Sequence, residues 1–143
     1  MLAAAGALAL SGAAPNVVAS GQWEGHAWRL EALDQDGRHC YRIAVDFPFT
    51  RASPPYAPNC AYPGHGAWNA FTVCPLAFVY GIADPGAVSL RFELATGKTV
   101  RVTTKTGRGV RYFAARIPCT ARVVGLDQLS GQGGVVTRWR VPR

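Results

Sequence analysis

Four cysteines, three histidines, eight carboxylates and thirteen arginines are the residues of this 143-residue chain with chemistry to offer. The cysteines stand at Cys40, Cys60, Cys74 and Cys119, spaced by 20, 14 and 45 residues. No CxxC pair is present, so the pattern does not suit a zinc ribbon. An even count in a small chain points instead to disulfides, and four cysteines allow three connectivities. The expected pairing is Cys40–Cys60 and Cys74–Cys119. The first ties a long proline-rich loop back to its strand. The second staples two strands distant in sequence. Each such link contributes about 2–4 kcal/mol, chiefly by restricting the unfolded chain. With all four paired, no thiolate is left to act as a nucleophile.

The other reactive residues do not assemble by any local rule. His26, His39 and His65 do not converge, although pairing across an Asp36-Gly37 turn sets His39 opposite Asp34 or Gln35. A metal site needs three or four converging ligands. Ser11, Ser20, Ser53, Ser89 and Ser130 sit in no GxSxG or SxxK context, and there is no HExxH. Ser89 is expected on an exposed strand face. Asp34, Asp36 and Asp84 have turn roles, which leaves Glu24, Asp46 and Asp127 as the acids harder to explain. Gly107-Arg108-Gly109 lacks a full phosphate-loop pattern and reads as a turn. No catalytic, cofactor or metal residue is assigned, and the chain is expected not to be an enzyme.

The charge balance carries more. Fifteen basic residues against eight acidic ones give a formal charge of +7. Arginine forks pair well with phosphate and carboxylate, which suggests attraction to an anionic polymer. The arginines are spread along the chain, so no compact basic run marks specific nucleic-acid recognition. The candidate binding surface comprises Arg111, Arg138 and Arg140 on strand faces, with Tyr56, Tyr62 and Trp68 from the loop. Strand alternation turns each arginine away from its aromatic neighbour, so Trp139 is expected in the core.

The elements that must position these groups are strands. Residues 1–19 are uncharged and rich in Ala and Leu. Their apolar part has signal-peptide length and is too short to span a bilayer. Val17-Val18-Ala19 offers a cleavage site after Ala19. These residues are read as a signal peptide or disordered leader, and residues 20–143 as one domain with no mature transmembrane span. The run Val88–Val102 alternates apolar and polar residues on both sides of Thr96-Gly97, the pattern of a hairpin with one dry face. A first hairpin spans Gln22 to Val45. Residues 46–68 hold five prolines and form a long loop, and such loops are often functional. Residues 70–82 are strongly apolar and interrupted by Pro75. Strands follow over 110–117, 122–127 and 135–141. Seven or eight strands at this spacing indicate an all-β antiparallel sandwich of the immunoglobulin-like sort, with a small β-barrel as the alternative.

Two stretches, Gly81–Pro118 and Ala121–Val136, together with Trp28–Ile43, resemble uncharacterised single-domain secreted proteins of high-GC actinobacteria. The shared features are an entry with Gly, Ala and Pro, a "tG" turn, a "YFA" strand and a late "lD..G" turn. The resemblance covers about 110 residues and its motifs are structural. It implies an immunoglobulin-like β-sandwich at the cell envelope and transfers no catalytic residue. Cys74 and Cys119 look like an addition to that group's usual pair. The expected function is that of a secreted or envelope-associated, non-enzymatic binding module without a cofactor. Its partner would be an anionic envelope polymer, membrane headgroups or a protein. A secreted inhibitor of an exported hydrolase, presenting the 46–68 loop, is the alternative.

Overall fold

The computed structural model describes residues 16–45 and 58–142. These residues form twelve strands: β1 (Asn16–Trp23), β2 (His26–Gln35), β3 (Arg38–Val45), β4 (Asn59–Cys60), β5 (Ala67–Val73), β6 (Leu76–Ile82), β7 (Ser89–Leu94), β8 (Thr99–Thr103), β9 (Lys105–Gly107), β10 (Val110–Arg116), β11 (Val123–Leu129) and β12 (Val135–Arg140). They make three antiparallel four-stranded sheets, ordered β1-β2-β3-β4, β5-β6-β10-β9 and β12-β11-β7-β8. The all-β sandwich with two disulfides is therefore observed, with twelve strands where seven or eight were expected. The excess comes from short strands that composition does not flag, β4 and β9. A further strand, β1, lies across the supposed leader boundary, and a tight turn at Cys74-Pro75 divides residues 70–82 into β5 and β6.

The central strands of the middle sheet, β6 and β10, are covered on both faces. Leu76, Phe78, Tyr80 and Ile82 of β6 pack with Leu30, Tyr41 and Ile43 of the first sheet in one core. Ala77 and Val79 of β6 pack with Leu90, Phe92 and Leu126 of the third sheet in a second core. A strand covered on both sides has no polar face to alternate with, so its sequence reads as one continuous apolar run. β10 repeats the arrangement, with Tyr112 in the first core and Phe113 and Ala115 in the second. At Gly81 of β6 an added Cβ would fall 2.1 Å from the Ala67 carbonyl oxygen, so only glycine allows β5 to lie this close.

The hairpin at 88–102 forms as β7 and β8, with Leu90 opposite Val102 and Phe92 opposite Val100. Its second face is not simply wet: Ser89 is buried, and Arg91 and Glu93 are half-buried. The β2–β3 hairpin pairs Asp34 with His39, within the two alternatives expected. Both disulfides join the expected partners. Cys40 and Cys60 are direct neighbours across β3 and β4. Cys74–Cys119 fastens the β5–β6 turn to the segment after β10.

One strand crosses the boundary expected at residue 20, and one expectation is corrected. The domain boundary at residue 20 falls inside β1, where Asn16 pairs with Ala32, Val17 with Glu31 and Ala19 with Leu30. Val18 and Ala19 also pack against the first core. Residues on both sides of position 20 thus belong to β1. Val17, Val18 and Ala19, which offer the cleavage pattern, also suit a partly buried strand. Trp139 is not enclosed: β12 is exposed along its whole length as the edge of the third sheet. Trp139 stacks edge-on against Trp68, 5.6 Å between centroids, and Trp68 in turn meets Phe92 at 6.0 Å.

Candidate functional site

The predicted surface residues divide between two places. Arg138 and Arg140 lie on the outer face of the third sheet, where the register aligns Arg138, Asp127, Arg91 and Arg101 in one row across four strands. Asp127 is the centre of this row and its side chain is only 2 % exposed. Its carboxylate accepts from Arg91 at 2.6 Å, from Arg138 at 3.0 Å and from Arg140 at 2.9 Å. The Arg140 hydrogen bond, joined by those of Arg91 and Arg138, outweighs the burial that would raise the group. The carboxyl is held far below the usual carboxylate range. Arg140 also reaches Glu93 at 3.6 Å, crossing β11 at Gly125, where an added Cβ would sit 2.9 Å from the Arg140 Cδ. An open depression of about 600 Å³ beside it is lined by Glu93, Arg122 and Arg140. The arginines nominated as free cations here are therefore bound internally. The reason is register: Asp127 stands between the two arginine-bearing strands.

Glu31 performs the same service on the first sheet. Burial pushes its carboxyl up, but hydrogen bonds from Arg42 and Arg29 more than reverse this and leave it lowered. Asp34 takes Arg108 and His39, each at 3.1 Å.

Arg111 and Tyr62 lie elsewhere, in a cleft of about 330 Å³ at one end of the molecule. Its walls come from the first and middle sheets. Four turns converge there, and each carries a glycine at positive φ: Gly37 (76°), Gly64 (77°), Gly86 (87°) and Gly109 (80°). A side chain at these angles would be strained, and no atom lies within 4 Å of where a Cβ would stand. The turn backbones are thus bare toward an incoming ligand. Ala61, Ile82 and Val110 supply an apolar floor.

The polar lining is cationic. Arg111 donates to the Thr104 hydroxyl at 3.3 Å. The Arg38 guanidinium lies 5.9 Å from the centroid of the Tyr62 ring. Neither arginine has a carboxylate partner among the described residues. His39 and His65 add two further ring nitrogens. The one carboxylate among the cleft's described lining residues, Asp84, is occupied: it accepts from the Gly66 amide and from Gln128 Nε2 at 3.0 Å. Its own amide donates to Gln128 Oε1 at 2.7 Å, which locks the β6–β7 turn to β11. Tyr62 is 72 % exposed at the mouth.

Of the six predicted residues, the structure brings Arg111 and Tyr62 together, and Arg138 with Arg140. Trp68 is half-buried between Phe92 and Trp139, and Tyr56 lies outside the described residues. Sequence reasoning missed Arg38, His39 and Asp84 as neighbours in one site. The signal available is four Gly-bearing sites, at 36–37, 63–64, 85–86 and 108–109, of which three read singly as turns and 63–64 as part of the 46–68 loop. Among the described residues no group of three His, Cys, Asp or Glu side chains is placed to hold a metal ion, and no helix is long and apolar enough to cross a membrane. No protein-family model, curated protein or solved structure matches this chain.

Proposed function

We propose that this protein is an exported, non-enzymatic binding module that holds an anionic ligand of the cell envelope or extracellular space in the turn-lined cleft. One observation carries the reading: Arg38 and Arg111 line the cleft without carboxylate partners among the described residues, while Asp84, the one carboxylate among its described lining residues, is committed to Gly66 and Gln128. Local excess positive charge at a concave, low-dielectric surface attracts anions. The two disulfides are consistent with an oxidising, extracellular environment;. Kinship with the secreted actinobacterial immunoglobulin-like group belongs to the same proposal and is supported by sequence motifs alone.

The test is co-sedimentation of the purified chain with isolated cell envelopes at low and high salt. Binding that falls steeply with salt, and is lost in an Arg38→Gln/Arg111→Gln variant, is the expected result. Absence of binding at low salt would refute the proposal. A second reading, an inhibitor of an exported hydrolase, is favoured by the Cys40–Cys60 bridge, which anchors one end of the 46–68 loop beside the exposed Tyr62. Salt-insensitive binding to a purified hydrolase would support it.

A further inference from the structure

We infer that the cleft's ligand is a saccharide unit bearing a carboxylate, a hexuronic acid within an acidic glycan. The inference rests on the proposed function and specifies its ligand. Three features of the cleft select the chemistry jointly.

Size comes first. At about 330 Å³ the cleft is at the small end of ligand sites and has room for one six-membered ring rather than an extended chain segment;. It is lined by turns and open to solvent on one side.

The surface is divided by character. Tyr62 presents an exposed aromatic ring at the mouth, and Ala61, Ile82 and Val110 lie beneath. A sugar ring has an apolar C–H face that suits such a platform. Free phosphate and acetate have no comparable face and would leave it uncovered. Arg38 stands over the Tyr62 ring, so the aromatic platform and a cation are adjacent;.

Polar groups complete the match. Arg38 and Arg111 offer planar forks, whose geometry pairs with a carboxylate;. His65, and His39 through the ring nitrogen not engaged by Asp34, offer polar contacts to hydroxyl groups, and the open space beside Gly64 leaves room for a ligand near the turn backbone. An uncharged sugar would leave both arginine forks without an anionic partner. A simple anion would leave the aromatic and apolar surface unused. A ring carrying a carboxylate satisfies both.

The experiment is a nuclear magnetic resonance titration of the 15N-labelled full chain with sodium glucuronate, glucose, sodium acetate and inorganic phosphate at equal ionic strength. Glucuronate is expected to shift the amides of Gly64, His65 and Gly86 in a saturable way, with glucose and acetate each binding about tenfold more weakly, a difference of about 1.4 kcal/mol. Tyr62→Ala and Arg111→Gln should each weaken glucuronate about tenfold, while the shifts of third-sheet amides stay as in the unaltered chain. Tyr62 is so exposed that its replacement leaves the core untouched. Equal responses to glucuronate, acetate and phosphate would overturn the inference and leave a general anion site. Glucose binding as well as glucuronate would overturn it from the other side. No shift with glucuronate, in a chain whose salt-sensitive envelope binding is still lost on Arg111→Gln, would overturn the ligand assignment alone. Loss of both signals would remove the proposed function with it.

Discussion

Arginines occur in two settings in this protein, and the contrast separates structural charge from available charge. On the outer face of the third sheet, Arg91, Arg138 and Arg140 converge on one buried carboxylate. At the cleft, Arg38 and Arg111 meet an aromatic ring and a hydroxyl, and the nearby carboxylate is already engaged. In the linear sequence the two groups are indistinguishable, because each is an arginine near an aromatic residue in a β-rich chain. What separates them is the residue that the register places alongside. A formal charge of +7 therefore overstates what the Arg91, Arg138 and Arg140 cluster offers an anion.

The strongest way to break this contrast is to remove Asp127. Asp127→Asn leaves three guanidinium groups around a neutral amide and frees the edge strand β12. Breaking a buried ion pair costs about 3–5 kcal/mol. The three arginines are 42–55 % exposed, so solvent screens them and the expected loss is at the low end, about 3 kcal/mol;. Urea unfolding at neutral pH measures it. The pH dependence follows from sign. The folded carboxyl is depressed, so its stabilisation is present above the unfolded value of about 3.9 and is lost as pH falls through the folded value;. The stability gap between the two proteins should close progressively below about pH 4. A gap that stayed constant down to pH 2, roughly two units below the unfolded carboxyl, would contradict the ion-pair account.

A second prediction concerns β1, which lies in neither arginine region and should affect stability without altering their difference. A chain beginning at Ser20 lacks the pairings of Asn16, Val17 and Ala19 and the packing of Val18. It should be less stable than a chain beginning at Asn16 by about 2 kcal/mol, the scale of one buried aliphatic side chain. Thermal melting compares them, and equal midpoints would return these residues to the leader.

A smaller effect sharpens the contrast. Gly125→Ala places a methyl against the Arg140 stem and the Glu93 carboxylate. Both are ends of flexible side chains and can move, so the expected loss is about 1 kcal/mol, the low end of overpacking. Glu93→Gln in the same background should then cost almost nothing further, because Arg140 has already been displaced. A double-mutant cycle reads this coupling.

Much of the architecture was legible in the sequence. The hairpin at 88–102 and the turn at Asp36-Gly37 follow from alternation and turn chemistry, and the disulfides join the pairing expected, out of three, from where the cysteines fall in loop and strands. The three-sheet arrangement was not legible. Leu76–Ile82 is apolar on every residue, and such a run identifies a buried strand without saying that two different sheets cover it. β1 was hidden because Val17, Val18 and Ala19 satisfy a cleavage pattern and a strand pattern equally well. The site was half legible. Arg111 and Tyr62 were selected by type, but the cleft is built by turns distant in sequence, at Gly37, Gly64, Gly86 and Gly109. Asp127 stood out as an acid without a turn role, yet its three partners come from two neighbouring strands and require the register to be known.

The smallest expected effect on stability belongs to the cleft. Arg38→Gln and Arg111→Gln remove no ion pair with a described residue, so each should change unfolding free energy by no more than about 0.5 kcal/mol. This leads to the most direct test of the central claim. Two double variants, Arg38→Gln/Arg111→Gln and Arg138→Gln/Arg140→Gln, would be compared for thermal stability and for low-salt envelope binding in the same preparations. The account predicts a crossed result: the cleft pair melts like the unaltered protein and loses binding, while the sheet pair keeps binding and melts lower. Loss of binding in the sheet pair with binding intact in the cleft pair would contradict it and make the Asp127 face the working surface.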